Sequence, residues 1–205
     1  MIEGNPMFIV ISVPERADLL SGLLIELEET GIKADVHKQE NRGNREGFRL
    51  QSMTALRAAR AKGRDLVFLE DDVRISKRFP DALRMAMDSS FDIVTFYAAG
   101  MWFYPAAIKR RILDYEKNGF NFSDPFFLFE PINRAKYFGS QCLLIKNPTI
   151  DRILTIMEND NRPFDNVLAD AGQLGAVFPN PVQHIGVKSA ISGHHRYHTS
   201  RSFCK

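Results

Sequence analysis

The sequence predicts an α/β protein: one domain whose mostly parallel central sheet is flanked by helices. Three observations carry that prediction. Met7 to Val13, Met-Phe-Ile-Val-Ile-Ser-Val, is an apolar, β-branched run of strand type. A helical stripe of Leu19, Leu20, Leu23, Leu24 and Leu27 follows it, then a second strand candidate, Ile32 to His37, which makes a β-α-β opening. Further on, the short apolar run Leu66 to Leu69 lies between helical patterns, as buried parallel strands do.

The elements then follow in order. Pro14 stops the first strand and Gly31 closes the first helix. Gln39 to Gly47 is polar and glycine-bearing, a loop. Arg49 to Ala61 reads as a helix with Leu50, Met53 and Leu56 inward and Arg57 and Arg60 outward, ended by Gly63. After the Asp65 strand, Pro80 to Met87 is a helix with Leu83, Ala86 and Met87 on its core face, and Phe91 to Phe96 is a strand. Tyr97 to Pro105 is an aromatic linker, and Pro105 starts a helix with Ile108, Ile112 and Tyr115 aligned. Asn118 to Glu130 is a loop dense in Phe, serving either as core lining or as a stacking platform for an acceptor. Tyr137 to Lys146 returns to strand, with Gly139 as a bulge. Asn147-Pro148 is a cap and first-turn pair for a helix carrying Ile150, Ile153, Leu154 and Met157. Asp165 to Leu174 is a short helix, Ala176 to Phe178 a short strand, and the tail from Pro179 is loop-rich.

Composition narrows the function classes. In 205 residues, apolar content of 44% and charged content of 25% are ordinary for a globular domain. The net charge of +2 is too small to argue for nucleic acid or membrane. Cys142 and Cys204 fall in no metal or redox spacing; Cys142 reads as a buried thiol and Cys204 as part of a loose end. No signal peptide or span-length apolar run is present, so the expected compartment is the cytoplasm, a host's if the protein is viral. No Gly-x-Gly-x-x-Gly follows the first strand and no Walker-type loop occurs, which argues against dinucleotide and P-loop chemistry.

The chemistry is concentrated at Glu70, Asp71 and Asp72, which follow the Leu66 strand directly. Ligands of open α/β sheets bind outside the carboxyl ends of such strands. Three adjacent acids repel one another, and a divalent cation with a taste for oxygen ligands, Mg²⁺ or Mn²⁺, would balance them. Solvated loop acids, one of them capping a helix, are the alternative.

Three pieces in order, Val13-Pro14-Glu15-Arg16, Leu-Glu-Asp-Asp-Val at 69–73, and Pro181-Val182-Gln183-His184-Ile185-Gly186-Val187-Lys188-Ser189, resemble a GT-A fold glycosyltransferase. The centre resembles the Glu-Asp-Asp version of the Asp-x-Asp motif of lipopolysaccharide and collagen sugar transferases. The late piece resembles the Gln-His-x-Gly segment of some N-acetylglucosaminyltransferases. The resemblance implies a single GT-A-like domain over 1–205, with residues 1–98 as the nucleotide-sugar half and 99–205 as the acceptor half with a C-terminal flap. It implies a metal-dependent transfer of a hexose or N-acetylhexosamine from a nucleotide-sugar, UDP-linked, to a hydroxyl. The acceptor would be a glycan or a hydroxymethylated base in phage DNA, the closing basic and aromatic tail being compatible with a polyanion.

By position, Asp72 is the implied direct metal ligand, Glu70 stands in the first acid's place, and Asp71 contacts ribose or a bridging water. Glu for Asp at position 70 weakens the case for direct coordination there. His184 completes the metal shell, against the alternative of a hydrogen-bonded structural histidine; imidazole suits Mn²⁺ better than Mg²⁺. Lys188, Ser189 and Ser192 reach the phosphates or form a solvated loop. Ser12, Pro14 and Arg16 lie where the first strand delivers the chain to uracil or ribose. Arg45, Gly47 and Arg49 occupy the second nucleotide-side loop. Asp165 is either the base that takes the acceptor proton or the cap of a helix starting at Asn166; Asp170 and Glu130 stand in reserve. A nucleotidyltransferase or phosphohydrolase, and a non-catalytic nucleotide-binding α/β protein, are the competing classes.

Overall fold

Seven strands form the central sheet. They are β1 (Met7–Ser12), β2 (Asp35–Lys38), β3 (Leu66–Glu70), β5 (Ile93–Thr95), β6 (Phe127–Phe129), β7 (Cys142–Ile145) and β8 (Leu174–Phe178), in the order β2-β1-β3-β7-β5-β8-β6. Two further strands, β4 (Val73–Ile75) and β9 (Val182–His184), make a separate antiparallel pair. The computed structural model describes residues 6–40, 43–98, 103–118, 125–131, 140–186 and 203–204. β1 pairs in parallel with both β2 and β3, and β5 with β8. β7 runs antiparallel to β3 and β5, and β6 to β8. All but β7 and β6 therefore point the same way, the mostly parallel sheet expected from the sequence.

Helices cover both faces, which is why the strands are apolar on both sides. Along β1, Ile9 and Ile11 face one layer while Phe8 and Val10 face the other, the period of two that a pleated strand imposes. The first layer holds α2 (Arg45–Ala61), α4 (Ala106–Asn118), α5 (Asn147–Asn159) and α6 (Phe164–Ala171). The second holds α1 (Ala17–Glu29) through Leu20, Leu23 and Leu27, and α3 (Phe79–Met87) through Phe79, Ala82, Leu83 and Ala86. Gly31 and Gly63 follow α1 and α2 at φ of 75° and 62°, the left-handed conformation that ends helices with glycine.

Several expectations are corrected. α2 starts at Arg45, not Arg49, because the Asn44 side chain accepts the Gly47 N–H and caps it. Leu50 is exposed, not inward, because it falls on the side of α2 away from the buried stripe of Ser52, Ala55 and Ala59, while Met53 and Leu56 are buried. Asn147 is not the cap of α5; it is the first helical residue, and its N–H donates to Asp65 Oδ1 at 2.8 Å. The Phe-rich stretch is not all loop, since Phe127–Phe129 is an edge strand on β8. Leu174 opens β8 and does not close α6, and β9 lies within the tail taken as loop. Cys204 is no loose end: it is buried, its N–H donates to Asn180 O, and its thiol faces Ser76. Gly139, Phe120 and Phe122 lie outside the described residues.

The described half 6–98 and the rest share one sheet. β7 is inserted between β3 and β5, and β9 folds back onto β4. Both insertions bring late residues to the carboxyl edge of β3.

Candidate active site

The strands β1, β3 and β5 all end on the same edge. β1 gives out at Ser12, and a single 3₁₀ turn, Pro14–Arg16, carries the chain into α1. That turn aims Arg16 back across the sheet. Its guanidinium Nη1 lies 3.1 Å from Asp71 Oδ1 and 2.7 Å from Asp72 Oδ2. The Asp71 Oδ2 accepts the Val13 N–H at 2.9 Å. Asp71 thus uses both oxygens to tie the exit of β1 to the exit of β3.

Pairing of β4 with β9 supplies the second half of the site. Val73 lies opposite His184, and the Ile185 N–H donates to Asp72 O at 2.8 Å. This register sets His184 Nε2 3.0 Å from Asp72 Oδ2, across 112 residues of chain. Gly186 is the residue that permits the approach: a Cβ there would lie 2.2 Å from Asp72 Oδ2 and 2.9 Å from His184 Nε2.

Asp72 is wholly buried, and its Oδ1 has no hydrogen-bond partner among the described residues. A buried carboxylate oxygen without a partner is costly and calls for a cation or a donor. Glu70 is different. Its Oε1 accepts the Ser140 hydroxyl at 3.0 Å. Burial, then the charge of Asp72, pushes its carboxyl up to about 8. Burial also raises Asp71, against the pull of Val13 N–H and Arg16. For Arg16, burial would lower the guanidinium, but Asp72, Glu70 and Asp71 together hold it above its ordinary value. In the same way burial would lower His184, and the bond and charge of Asp72 with the charge of Glu70 raise it.

The fit to a divalent ion follows from this donor set. Among the described residues no group of three or more His, Cys, Asp and Glu could hold a metal. Asp72, through its unpartnered oxygen, and His184 together offer two ligands. Two protein ligands fit an ion that arrives with phosphate oxygens and water filling its other positions, the usual arrangement for Mg²⁺ at substrate phosphates. Asp71 and Glu70 are otherwise engaged.

Asp165 stands in the first turn of α6, where Pro163 occupies the cap position without a side-chain bond. The cap reading is thereby corrected. Its carboxylate is near enough to Glu70 to raise that group's pKa. Tyr97, just past β5, also joins the site: its ring centroid is 6.1 Å from that of His184, and burial, then Tyr104, Asp72 and Glu70, raise its phenol. Sequence reading missed Tyr97, Ser140 and the need for glycine at 186. The position of Tyr97 at the end of a strand was the signal available; Ser140 gave none.

The remaining candidates are placed as follows. Ser12 is buried, and its carbonyl accepts from Gln39 N–H and the Gln51 side chain. Pro14 is exposed at the start of the 3₁₀ turn. Arg49 lies on the α2–α5 seam, where it donates to Met157 O in the last turn of α5, and Arg45 donates to Asn161 O. Asp170 forms an exposed ion pair with Arg162, and Glu130 is exposed. Lys188, Ser189 and Ser192 lie outside the described residues.

No protein-family model matches the chain, and no curated protein matches it either. Among solved structures it is similar to A197 from STIV, with a TM-score of 0.50 at 12% identity, covering 86% of this chain and 83% of that one. It is also similar to a glycosyltransferase involved in the glycosylation of the major capsid of PBCV-1, with a TM-score of 0.35 at 14% identity, over 58% of this chain and 70% of that one. At such identities the first likeness is one of fold alone, and the second supports no inference about activity.

Proposed function

We propose that the chain is a metal-dependent glycosyltransferase that moves a sugar from a nucleotide-sugar, UDP-linked, to a hydroxyl acceptor. The observation that supports it most is the β4–β9 pairing, which sets His184 3.0 Å from Asp72 at the carboxyl edge of the sheet. That edge is where open α/β sheets receive ligands. A Mn²⁺ or Mg²⁺ there would act as Lewis acid and template for the departing diphosphate. Asp72 and His184 would hold it.

The chain's other residues set up the transfer. Arg16 adds a permanent positive charge beside the position of the diphosphate. Asp165, in the first turn of α6, takes the proton of the attacking hydroxyl. The acceptor is a glycan or another hydroxyl carrier; among the described aromatic residues Phe129 is buried against Phe103 and Tyr104, and Phe127 leans on Phe178.

A panel of nucleotide-sugars, screened by thermal shift with and without Mn²⁺, tests the proposal. One UDP-sugar is expected to stabilise the protein only with the ion; at 100 times its dissociation constant the gain is about 2.7 kcal/mol. UDP release should then depend on a saccharide acceptor. Pyrophosphate release from a nucleoside triphosphate would assign nucleotidyl transfer instead, and no binding by any nucleotide-sugar would end the transferase reading.

A further inference from the structure

We propose that Arg16 is the resident counter-ion of the acid cluster and competes with a divalent cation for Asp72. The inference rests on reading that cluster as a metal-dependent donor site. One guanidinium nitrogen, Nη1, bridges Asp71 and Asp72. The same Asp72 Oδ2 also meets His184 Nε2 at 3.0 Å, while Oδ1 is buried without a partner among the described residues. A cation using Asp72 and His184 would share this carboxylate with a guanidinium nitrogen only 2.7 Å from it. A divalent cation and a guanidinium held on the two oxygens of one carboxylate repel strongly where little water screens them.

Metal entry at Oδ1 is therefore opposed for as long as Arg16 stays on Oδ2, and is eased when Arg16 leaves Asp72. The fold gives it a second station. Asp71 is anchored independently by the Val13 N–H, so it stays in place and retains Arg16 through Oδ1. The Arg16 side chain is 13% exposed, against 0% for Asp72, so Arg16 is the member of the pair that solvent reaches. A guanidinium released there has a fork of donors matched to phosphate oxygens. Two consequences follow. The ion alone binds weakly, and a nucleoside diphosphate opens the site to it by drawing Arg16 away.

Binding of Mn²⁺ alone to the full chain, followed by the EPR signal of free Mn²⁺ and by calorimetry, tests this without any turnover. Arg16→Met should bind Mn²⁺ roughly tenfold tighter or more, because the competing charge is gone. Arg16→Lys, a single point charge without the fork, should show a smaller gain in the same direction. Adding Asp72→Asn to either should erase the gain. Unchanged, weaker or absent Mn²⁺ binding in Arg16→Met overturns the competition. Should that variant not fold, Arg16→Lys decides by the same criterion. The transferase reading stands or falls separately. Tighter Mn²⁺ in the variant with no nucleotide-sugar bound removes the transferase and keeps the competition. Sugar transfer with Mn²⁺ affinity unaltered does the reverse.

Discussion

Two arginines in this chain each gather two aspartates, and burial separates what they do. Arg16 holds Asp71 and Asp72, whose side chains are 2% and 0% exposed. Arg162 holds Asp160 and Asp170 on the surface and is itself 47% exposed. The chemistry of the pairs is the same. Water screens the surface trio and can replace any member of it, so such pairs contribute little. Water reaches little of the buried trio, and loss of one member leaves a buried charge less well compensated. A functional reading belongs to the first and not to the second, although the sequence shows acids and arginines in both places.

The contrast can be broken most directly at Asp72. Asp72→Ala should abolish Mn²⁺-dependent nucleotide-sugar binding in the thermal-shift screen. It should also cost about 1–3 kcal/mol in the ion-free protein by denaturant unfolding, as Arg16 and His184 lose a partner. Binding that survives with Mn²⁺ would move the metal site elsewhere. Next comes Asp165→Asn, which should lower kcat by about 10²–10⁴ while leaving donor affinity intact. A loss of affinity with kcat preserved would make Asp165 a structural group. Smaller still is Gly186→Ala. A methyl 2.2 Å from Asp72 Oδ2 must push that carboxylate or the β9 exit aside, at about 1–3 kcal/mol of overpacking, together with weaker metal binding; an unchanged melting curve would show that the loop yields freely. Arg162→Ala sharpens the comparison from the other end. Neither stability nor donor binding should move measurably, and a clear loss of either would mean that the surface trio does more than its exposure implies.

Legibility in the sequence followed the range of the forces. β1, α1, β3, α3 and α5 could be read because each carries its own period of apolar residues, and the layers they face merely agree with that period. The start of α2 could not be read from apolar spacing alone, since the Asn44 cap sets it, and Leu50 was misplaced because small side chains, Ser52, Ala55 and Ala59, mark the buried face. Nor could the start of α5, where the Asn147 N–H donates to Asp65, 82 residues away. The acidic triplet was visible as a site, yet its internal division of labour was not: Asp71 as a clamp on β1, Glu70 bonded to Ser140, Asp72 alone of the three with an oxygen to offer.

By itself the chain's order of residues determined the α/β class, the buried strand leading to three acids, and the presence of a histidine and a glycine in one late segment. Those are properties of neighbours, set by local geometry and by which side chains avoid water. Tertiary structure alone decided that His184 meets Asp72, that Arg16 turns inward and that Cys204 is buried. Three-residue strands such as β4 and β9 have too few residues to announce a partner. Their register is chosen by the surfaces they close against, which exist only once the sheet has formed.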